Sequence, residues 1–130
     1  MSPDADQIIT AYLNANLAEA VVGRTPSNTV NPWVRLAVLD DPDVSGGIVD
    51  KSLECYVQID CYAGQGGGQA VAKTLSMAVR QLLHATNERA VSAGGGYIYA
   101  AEVSFGHAPD QTFEPSMEGY RGVGRVWVRA

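Results

Sequence analysis

The part of this sequence that most constrains the fold is the run from Leu53 to Leu83. Its opening segment, Leu53–Tyr62, alternates between apolar and polar side chains, which is typical of a strand with one buried face. The residues predicted to face the core are Leu53, Cys55, Val57, Ile59 and Cys61. Those predicted to face the other side of the sheet are Glu54, Tyr56, Gln58, Asp60 and Tyr62. A glycine-rich break at 63–68 leads into a helical pattern at 69–83, so we predict a strand followed by a helix that packs on the sheet.

The glycine break at 63–68 also has to be compared with phosphate-binding loops, because those loops likewise join a strand to a helix. A Walker loop requires a glycine directly before its lysine, but Lys73-Thr74 follows an alanine. The glycines are also out of phase with a dinucleotide-binding fingerprint, whether it is started at Gly64 or at Gly66. We therefore interpret the break as a turn and not as a phosphate site.

The predicted helix at 69–83 has two different sides. Its apolar stripe, which would pack on the sheet, consists of Val71, Leu75, Ala78, Val79 and Leu82. The opposite side holds Lys73, Met77, Arg80 and His84. His84 lies near the predicted C-terminus, where the helix dipole favours a positive charge, so we interpret it as a solvated cap. His107 falls in a predicted loop, and neither histidine has a second ligand at the spacing of a metal site.

The remaining segments predict a single α+β domain over residues 1–130. A first helix is predicted at about 4–22, with Ser2 as its cap, Pro3 in its first turn and Gly23 after its end. Further strands are predicted at 33–39, 97–105 and 120–129, and loops at 87–96 and 106–118. The order helix–strand–strand–helix–strand–strand favours a mostly antiparallel four-stranded sheet backed by two helices.

The segment 40–51 is predicted to be a long polar hairpin arm between the first two strands. It contains the aspartates Asp40, Asp41, Asp43 and Asp50 and a Gly-Gly tip. These aspartates lack both the spacing and the closing glutamate of an EF-hand loop. We therefore interpret them as a solvated acidic surface, and we predict no metal or cofactor for this chain.

Charge and cysteine spacing exclude several classes of protein. The formal net charge of −5 argues against general affinity for nucleic-acid backbones. The charge is uneven: residues 1–62 carry nine acids and three bases (−6), whereas residues 63–130 carry five acids and six bases (+1). Cys55 and Cys61 would lie roughly 20 Å apart along one strand, too far for a disulfide. No apolar run approaches about 18 residues, so no membrane span is predicted, and the acidic N-terminus does not resemble a secretory signal.

Several side chains outside the predicted core are of the types favoured at protein interfaces. They are Tyr56, Tyr62, Met77 and Trp127. One face of the closing strand holds Arg121, Val123, Arg125, Trp127 and Arg129. Charge and stacking on that face would suit nucleic acid, but the acidic chain favours a protein interface. The serines lack a Gly-x-Ser-x-Gly elbow, a Cys–His nucleophile pair has no local support, and no catalytic residue is predicted.

Two segments, together with the order of the elements, carry a resemblance to a known family. The first is the strand Tyr56–Tyr62, which continues through 63–68 into Ala70–Leu75. The second is the ending, Asp110–Arg121 through Val126–Arg129, where a Tyr-Arg pair opens a final alternating strand. Over about residues 5–130 the chain resembles the tail terminator (tail completion) proteins of long-tailed bacteriophages.

The resemblance implies a structural virion protein and not an enzyme. Members of this family form a ring, typically a hexamer, that caps the finished tail tube, ends tail polymerisation and offers a docking surface to the head or neck. The implied partners are further copies of the chain, the tail tube protein and a head completion or neck protein, with no membrane. DNA would pass through the channel without specific binding. The protein would be located in the virion, at the head-proximal end of the tail, and it would be assembled in the host cytoplasm.

The predicted interface residues lie on the arm, on the non-core face of the sheet and on the outer side of the second helix. They are Asp40, Asp41, Asp43, Asp50, Tyr56, Tyr62, Lys73, Met77, Arg80, Arg121, Arg125, Trp127 and Arg129. By hypothesis the arm contacts the tube or lines the channel. Either the Lys73/Arg80 side or the arginine face of the last strand would then meet an acidic surface of a neighbour.

Two alternative functions stay open at this point. One is a head–tail connector (neck) subunit of the same fold. The other, from a different class, is a small α+β ligand-binding domain or enzyme with a pocket under the glycine loop. A ring of copies would favour the terminator, and a stable monomer that binds a small molecule would favour the second alternative.

Overall fold

The computed structural model describes residues 4–22, 32–39, 52–63, 68–108 and 118–129. Within these ranges the elements are α1 (Ala5–Asn16), β1 (Ala20–Val22), β2 (Trp33–Val38), β3 (Ser52–Ala63), α2 (Gly68–Ala85), β4 (Val91–Ala93), β5 (Gly96–Ala108) and β6 (Glu118–Arg129). The strands form one six-stranded sheet in the order β1-β2-β3-β6-β5-β4. β1 is parallel to β2, and every other neighbouring pair is antiparallel. The predicted α+β class is confirmed, but the predicted count of four strands is wrong, because the short strands β1 and β4 are added at the two edges.

Strand β3 lies inside the sheet, as its alternation predicted. It pairs with β2 on one side and, along its whole length, with β6 on the other. All of its predicted core residues are buried. Cys55 and Cys61 are among them, and both are free thiols, as their spacing predicted. Burial raises the pKa of the Cys61 thiol, with a further contribution from the nearby charge of Asp60, so this thiol stays protonated inside the core.

Both helices contribute to one core cluster on the same side of the sheet. The hydroxyl of Tyr12 in α1 donates to the carbonyl of Leu82 in α2 at 2.6 Å and joins the two helices. The buried residues of α2 are Ala72, Leu75, Ser76, Val79 and Leu83. Leu75 and Val79 were predicted, but Val71, Ala78 and Leu82 are only half-buried. The helix is turned so that two small residues, Ala72 and Ser76, face the sheet and permit a close approach.

The first helix is shorter than predicted. Asp4, and not Ser2, caps its start by accepting a hydrogen bond from the Gln7 amide at 3.1 Å. The helix ends at Asn16 instead of residue 22, and Leu17 is already extended. The amide of Val21 donates to the side chain of Asn14 at 3.2 Å, and residues 20–22 pair with β2. A β-branched Val-Val pair favours a strand, and this pairing outweighs the helical periodicity of the segment.

The segment 87–96, predicted to be a loop, contains strand β4 and the turn of a hairpin. Gly94 and Gly95 adopt φ values of 56° and 87°, and positive φ at both central residues is the signature of a tight hairpin turn. β5 is also longer than predicted, so His107 belongs to a strand and not to a loop. The glycine-rich sequence at 94–96 therefore marks the turn between two paired strands, β4 and β5, and not a long loop.

Several predictions concern residues outside the described ranges. Ser2, Pro3 and Gly23 are among them, and their predicted roles at the ends of the first helix are wrong, because α1 begins at Ala5, is capped by Asp4 and ends at Asn16. The others are the arm at 40–51 with Asp40, Asp41, Asp43 and Asp50, the centre of the glycine break at 64–67, and the loop at 109–117. The predictions for these segments stay predictions.

Candidate interaction surface

The side of the sheet that faces away from the helices is a broad surface, which we call the open face. Cross-strand register places neighbouring side chains of β2, β3, β6 and β5 together on it. Its residues include Trp33, Arg35, Glu54, Tyr56, Gln58, Asp60, Tyr62, Tyr97, Glu102, Ser104, Arg121, Val123, Arg125, Trp127 and Arg129. The predicted non-core side of β3 and the predicted arginine face of β6 are thus confirmed as parts of one surface.

Asp60 is the most buried charged residue described on this face, with only 2% of its surface exposed. Its carboxylate accepts hydrogen bonds from Arg121 Nε at 2.8 Å, Arg35 Nη2 at 3.0 Å and Gln58 Nε2 at 3.1 Å. Burial alone would raise the pKa of Asp60, but the hydrogen bonds from Arg121, Arg35 and Gln58 together outweigh it and lower the pKa. Because Arg35, Asp60 and Arg121 stand opposite one another on β2, β3 and β6, this cluster ties three strands together.

Tyr62 lies on the predicted face but is not available there as an exposed contact. It is 1% exposed, and its ring centroid lies 4.3 Å from that of Trp33, which is 2% exposed. The guanidinium of Arg35 lies 5.7 Å from the Tyr62 ring centroid. Burial is the main cause that raises the pKa of Tyr62. The exposure expected for Tyr62 is therefore wrong: it lies on the predicted side of β3 but packs in an aromatic cluster within the subunit.

A shallow groove of about 320 Å³ crosses the open face. Three large apolar side chains on it are well exposed: Leu39 at 57%, Tyr56 at 49% and Val123 at 52%. Glu102, Ser104 and Arg125 also line it. The amide of Leu39 donates to the carbonyl of Tyr56 at 2.8 Å, which fixes these two residues side by side. Exposed apolar side chains that form a contiguous patch with a polar rim mark interaction sites more often than scattered ones do.

Arg125 sits at the rim of this groove and pairs with two acids. Its Nη1 lies 3.1 Å from Glu54 Oε1, and its Nη2 lies 3.2 Å from Glu102 Oε2. The guanidinium also lies 5.1 Å from the Trp127 ring centroid. The hydrogen bond to Glu54 is the main cause that raises the pKa of Arg125. Two carboxylates and one guanidinium leave a net charge of −1, so this end of the predicted arginine face is not a basic surface.

The outer side of α2 forms a second surface, on the other layer of the domain. Lys73, Met77 and Arg80 are all exposed there, and Met77 has 61% of its surface accessible. The sequence of α2 contains no acidic residue. The structure thus groups the predicted interface residues into two sets: one on the outer side of α2 and one, with Tyr56, Arg121, Arg125 and Trp127, on the open face.

Two other predicted residues, Arg129 and His84, lie away from the groove. Arg129 lines a separate groove of about 520 Å³ with Ala90, Tyr97 and Tyr99. His84 is not a solvated cap, because its Nε2 accepts a hydrogen bond from the Val103 amide of β5 at 3.2 Å.

In the described ranges there is no group of three or more potential metal-ligating side chains, and no described helix is long and apolar enough to cross a membrane.

Sequence reasoning missed Leu39, Glu102 and Ser104 of the groove. Leu39 ends the predicted strand at 33–39, and the alternation that puts Arg35 on the polar side also puts Leu39 there. That signal was present in the sequence. The role of Glu102 depends on the pairing of β5 with β6, and no local pattern reveals which strand lies beside it.

A two-layer α+β domain with exposed apolar residues on both of its layers has the features of an assembly subunit. Comparison with known families gives the same result in more specific terms. The family model described as tail completion protein gp17 matches residues 4–116, which is most of the chain. No curated protein matches it. The chain therefore belongs to the gp17 family of phage tail completion proteins, and the family predicted from the sequence is confirmed.

Membership of this family makes the chain a structural protein of the phage tail, located in the tail of the virion and in contact with other tail components. The match ends before β6, so the open-face residues Arg121, Val123, Arg125 and Trp127 lie outside it. Residues of β3, α2 and β5, including Tyr56, Met77 and Glu102, lie inside it.

Proposed function

We propose that this chain forms a ring that caps the phage tail tube, ends tail polymerisation and provides the surface on which the head or neck docks. The observation that carries the proposal is that a tail completion protein presents two different exposed surfaces, on opposite layers of one small domain. A closed ring of identical subunits requires such a pair, because each copy contacts one neighbour with one patch and the next neighbour with another. By analogy with the family, the ring has roughly six copies.

In this proposal the ring acts by blocking and docking, and no covalent chemistry is involved. One rim of the ring occupies the position of the next tube subunit, so that growth stops. The other rim meets the head completion or neck protein. The channel admits DNA, and the net charge of −5 suits that role because like charges keep DNA from adhering to the wall. The acidic arm at 40–51 is proposed to contact the tube or to line this channel.

The test is a phage in which the gene for this chain is deleted and then restored from a plasmid. We expect electron micrographs of the deletion to show tubes of abnormal length and filled heads without tails, and restoration to return normal particles. Tails of normal length that fail to join heads would instead indicate a neck connector. Normal, infectious particles would overturn a structural role and favour the ligand-binding alternative.

The arm is tested separately by deleting residues 42–49 and complementing the same phage. Loss of tube capping, with the ring still formed, is the expected result. Normal tail length and normal ring formation in this variant would remove the arm from the proposal and leave the rest of it intact.

A further inference from the structure

We infer that the groove on the open face binds helix α2 of a second copy of this chain, with Met77 of that copy placed among Leu39, Tyr56 and Val123. This inference rests on the proposed function, since it assigns the contact by which neighbouring copies join into a ring. It names one occupant, a particular helix side of an identical subunit, and it is argued from three observations.

The first observation is the distribution of exposed apolar side chains. The large apolar residues that are well exposed in the described ranges are Leu39, Tyr56, Met77, Tyr97 and Val123. Three of them converge on the groove, and Met77 projects from the centre of the outer side of α2. A flexible methionine side chain adapts readily to a shallow apolar depression. Both surfaces therefore present exposed apolar side chains that can pack against each other.

The second observation is charge. Met77 lies four residues after Lys73 and three before Arg80, so both cations share its side of the helix. Glu102 lines the groove, and Glu54 lies beside it through its ion pair with Arg125; 71% and 38% of these two acidic side chains are exposed. Each carboxylate gives one oxygen to Arg125 and can accept further hydrogen bonds. Two cations around Met77 would thus meet the ion-paired group Glu54, Arg125 and Glu102, whose net charge is −1.

The third observation is that the two surfaces lie on opposite layers of the domain. The groove and α2 of one copy therefore cannot contact each other. The groove of one copy must instead contact α2 of a different copy. Each copy then uses its groove toward one neighbour and its α2 toward the other. Such a head-to-tail contact either closes into a ring or continues as a filament, and closure is what the proposed function requires.

Cysteine cross-linking tests the contact directly. The variant Met77→Cys/Val123→Cys, in the full chain and in assembled tails, is oxidised and run on a non-reducing gel. We expect a ladder of covalent products larger than a dimer, because each copy links to two neighbours. Met77→Cys and Val123→Cys alone are the matched controls and give no such ladder. The native thiols do not interfere, since Cys55 and Cys61 are both 0% exposed.

Charge reversal tests the same contact without a covalent bond. Arg80→Glu and Glu102→Lys, each alone, should raise the protein concentration needed for half-assembly about tenfold, which corresponds to about 1.4 kcal/mol. An equimolar mixture of the two variants should assemble normally, because every groove then meets a helix of the opposite charge. Arg89→Glu and Glu88→Lys, exposed residues beyond the end of α2, are the matched controls and should assemble like the unmodified chain.

The outcomes separate this contact from the proposed function. Tails that terminate normally but give no ladder in the double-cysteine variant, or variants that do not rescue each other, would overturn the contact alone. Copies that cross-link into closed rings but do not stop tube growth would confirm the contact and overturn the capping function.

Discussion

Arg121 Nε lies 2.8 Å from Asp60 Oδ1, and the two side chains differ sharply in exposure: 39% for the arginine and 3% for the aspartate. Arg35 approaches the same carboxylate from the other side at 3.0 Å and is 26% exposed. One buried anion is therefore held by two cations that still reach solvent. Through these two contacts Asp60 links β2, β3 and β6 on the open face.

Replacing Asp60 by asparagine should destabilise the domain. The amide keeps the shape of the carboxylate but loses its charge, and hydrogen bonds to charged groups contribute about 1.5–3 kcal/mol. Because both arginines are partly exposed and can be rehydrated, we expect the free energy of unfolding to fall by about 1–3 kcal/mol, measured by urea unfolding. Glu54→Gln is the control and should lower the free energy of unfolding less, since its pair with Arg125 lies at the surface, where ion pairs contribute little. Equal losses in the two variants would contradict the importance assigned to burial.

The Asp60 cluster also predicts a dependence of stability on pH. In the folded chain the hydrogen bonds from its partners outweigh burial and hold the pKa of Asp60 below its ordinary value, which is about 3.9 in an unfolded chain. As the pH falls below that value, the unfolded chain takes up a proton before the folded one does. The cluster's contribution is thus complete above about pH 4 and is lost at lower pH, down to the folded pKa.

This dependence is measured as the free energy of unfolding in urea between neutral pH and about pH 2.5. The unmodified chain should lose stability on acidification, and Asp60→Asn should show a flatter profile below about pH 4. Profiles with the same slope in that range would show that other carboxylates carry the acid sensitivity.

Gly124 is expected to be intolerant of any side chain. A Cβ atom built on it would overlap the backbone carbonyl of Glu102 and crowd the Cα of Val103 on the neighbouring strand. Neither backbone atom can move without disturbing the pairing of β5 with β6, so Gly124→Ala should cost about 3 kcal/mol or fail to fold. Gly106→Ala is a matched control in β5, because a Cβ atom there meets nothing within 4 Å. Thermal unfolding measures the difference: Gly124→Ala should melt at a clearly lower temperature than Gly106→Ala. Similar melting temperatures would contradict the prediction.

The elements that the sequence predicted well are those with a long, regular pattern. The alternation in Leu53–Tyr62 spans ten residues, and all five residues that it assigned to the core side of β3 are buried. Strands β1 and β4 have only three residues each, too few to show a period. Their existence depends on a partner elsewhere in the chain: β1 on β2, and β4 on β5.

The same distinction applies to the candidate site: features that follow from a local sequence pattern were predicted, and features that depend on contacts between distant residues were not. The outer side of α2 follows from helical spacing, and the exposure of Lys73, Met77 and Arg80 was predicted. The burial of Asp60 and Tyr62 was not, because it requires Arg35, Arg121 and Trp33 to be brought beside them by strand pairing. An alternating strand indicates which residues share a side, but not whether that side is solvated.

The last prediction concerns Asn87, which covers part of the β5 edge. Its side-chain amide donates to the Ala101 carbonyl at 2.8 Å, and its oxygen accepts from the Ala101 amide at 2.9 Å, so it imitates the pairing of a neighbouring strand. His84 extends this cover by accepting from the Val103 amide. Uncovered strand edges are sites where chains aggregate. Asn87→Ala should therefore lower the free energy of unfolding by about 1–3 kcal/mol and increase aggregation on mild heating.

Asn87→Asp is the matched variant for this edge. A carboxylate can still accept from the Ala101 amide but cannot donate to the Ala101 carbonyl, so its loss of stability should lie between that of the unmodified chain and that of Asn87→Ala. Hydrogen exchange gives a residue-specific measurement: the Ala101 amide should exchange faster in Asn87→Ala, while the core amides of β3 keep their order of protection. Unchanged exchange at Ala101 would show that this side chain does not protect the edge, and that the strand is covered in another way.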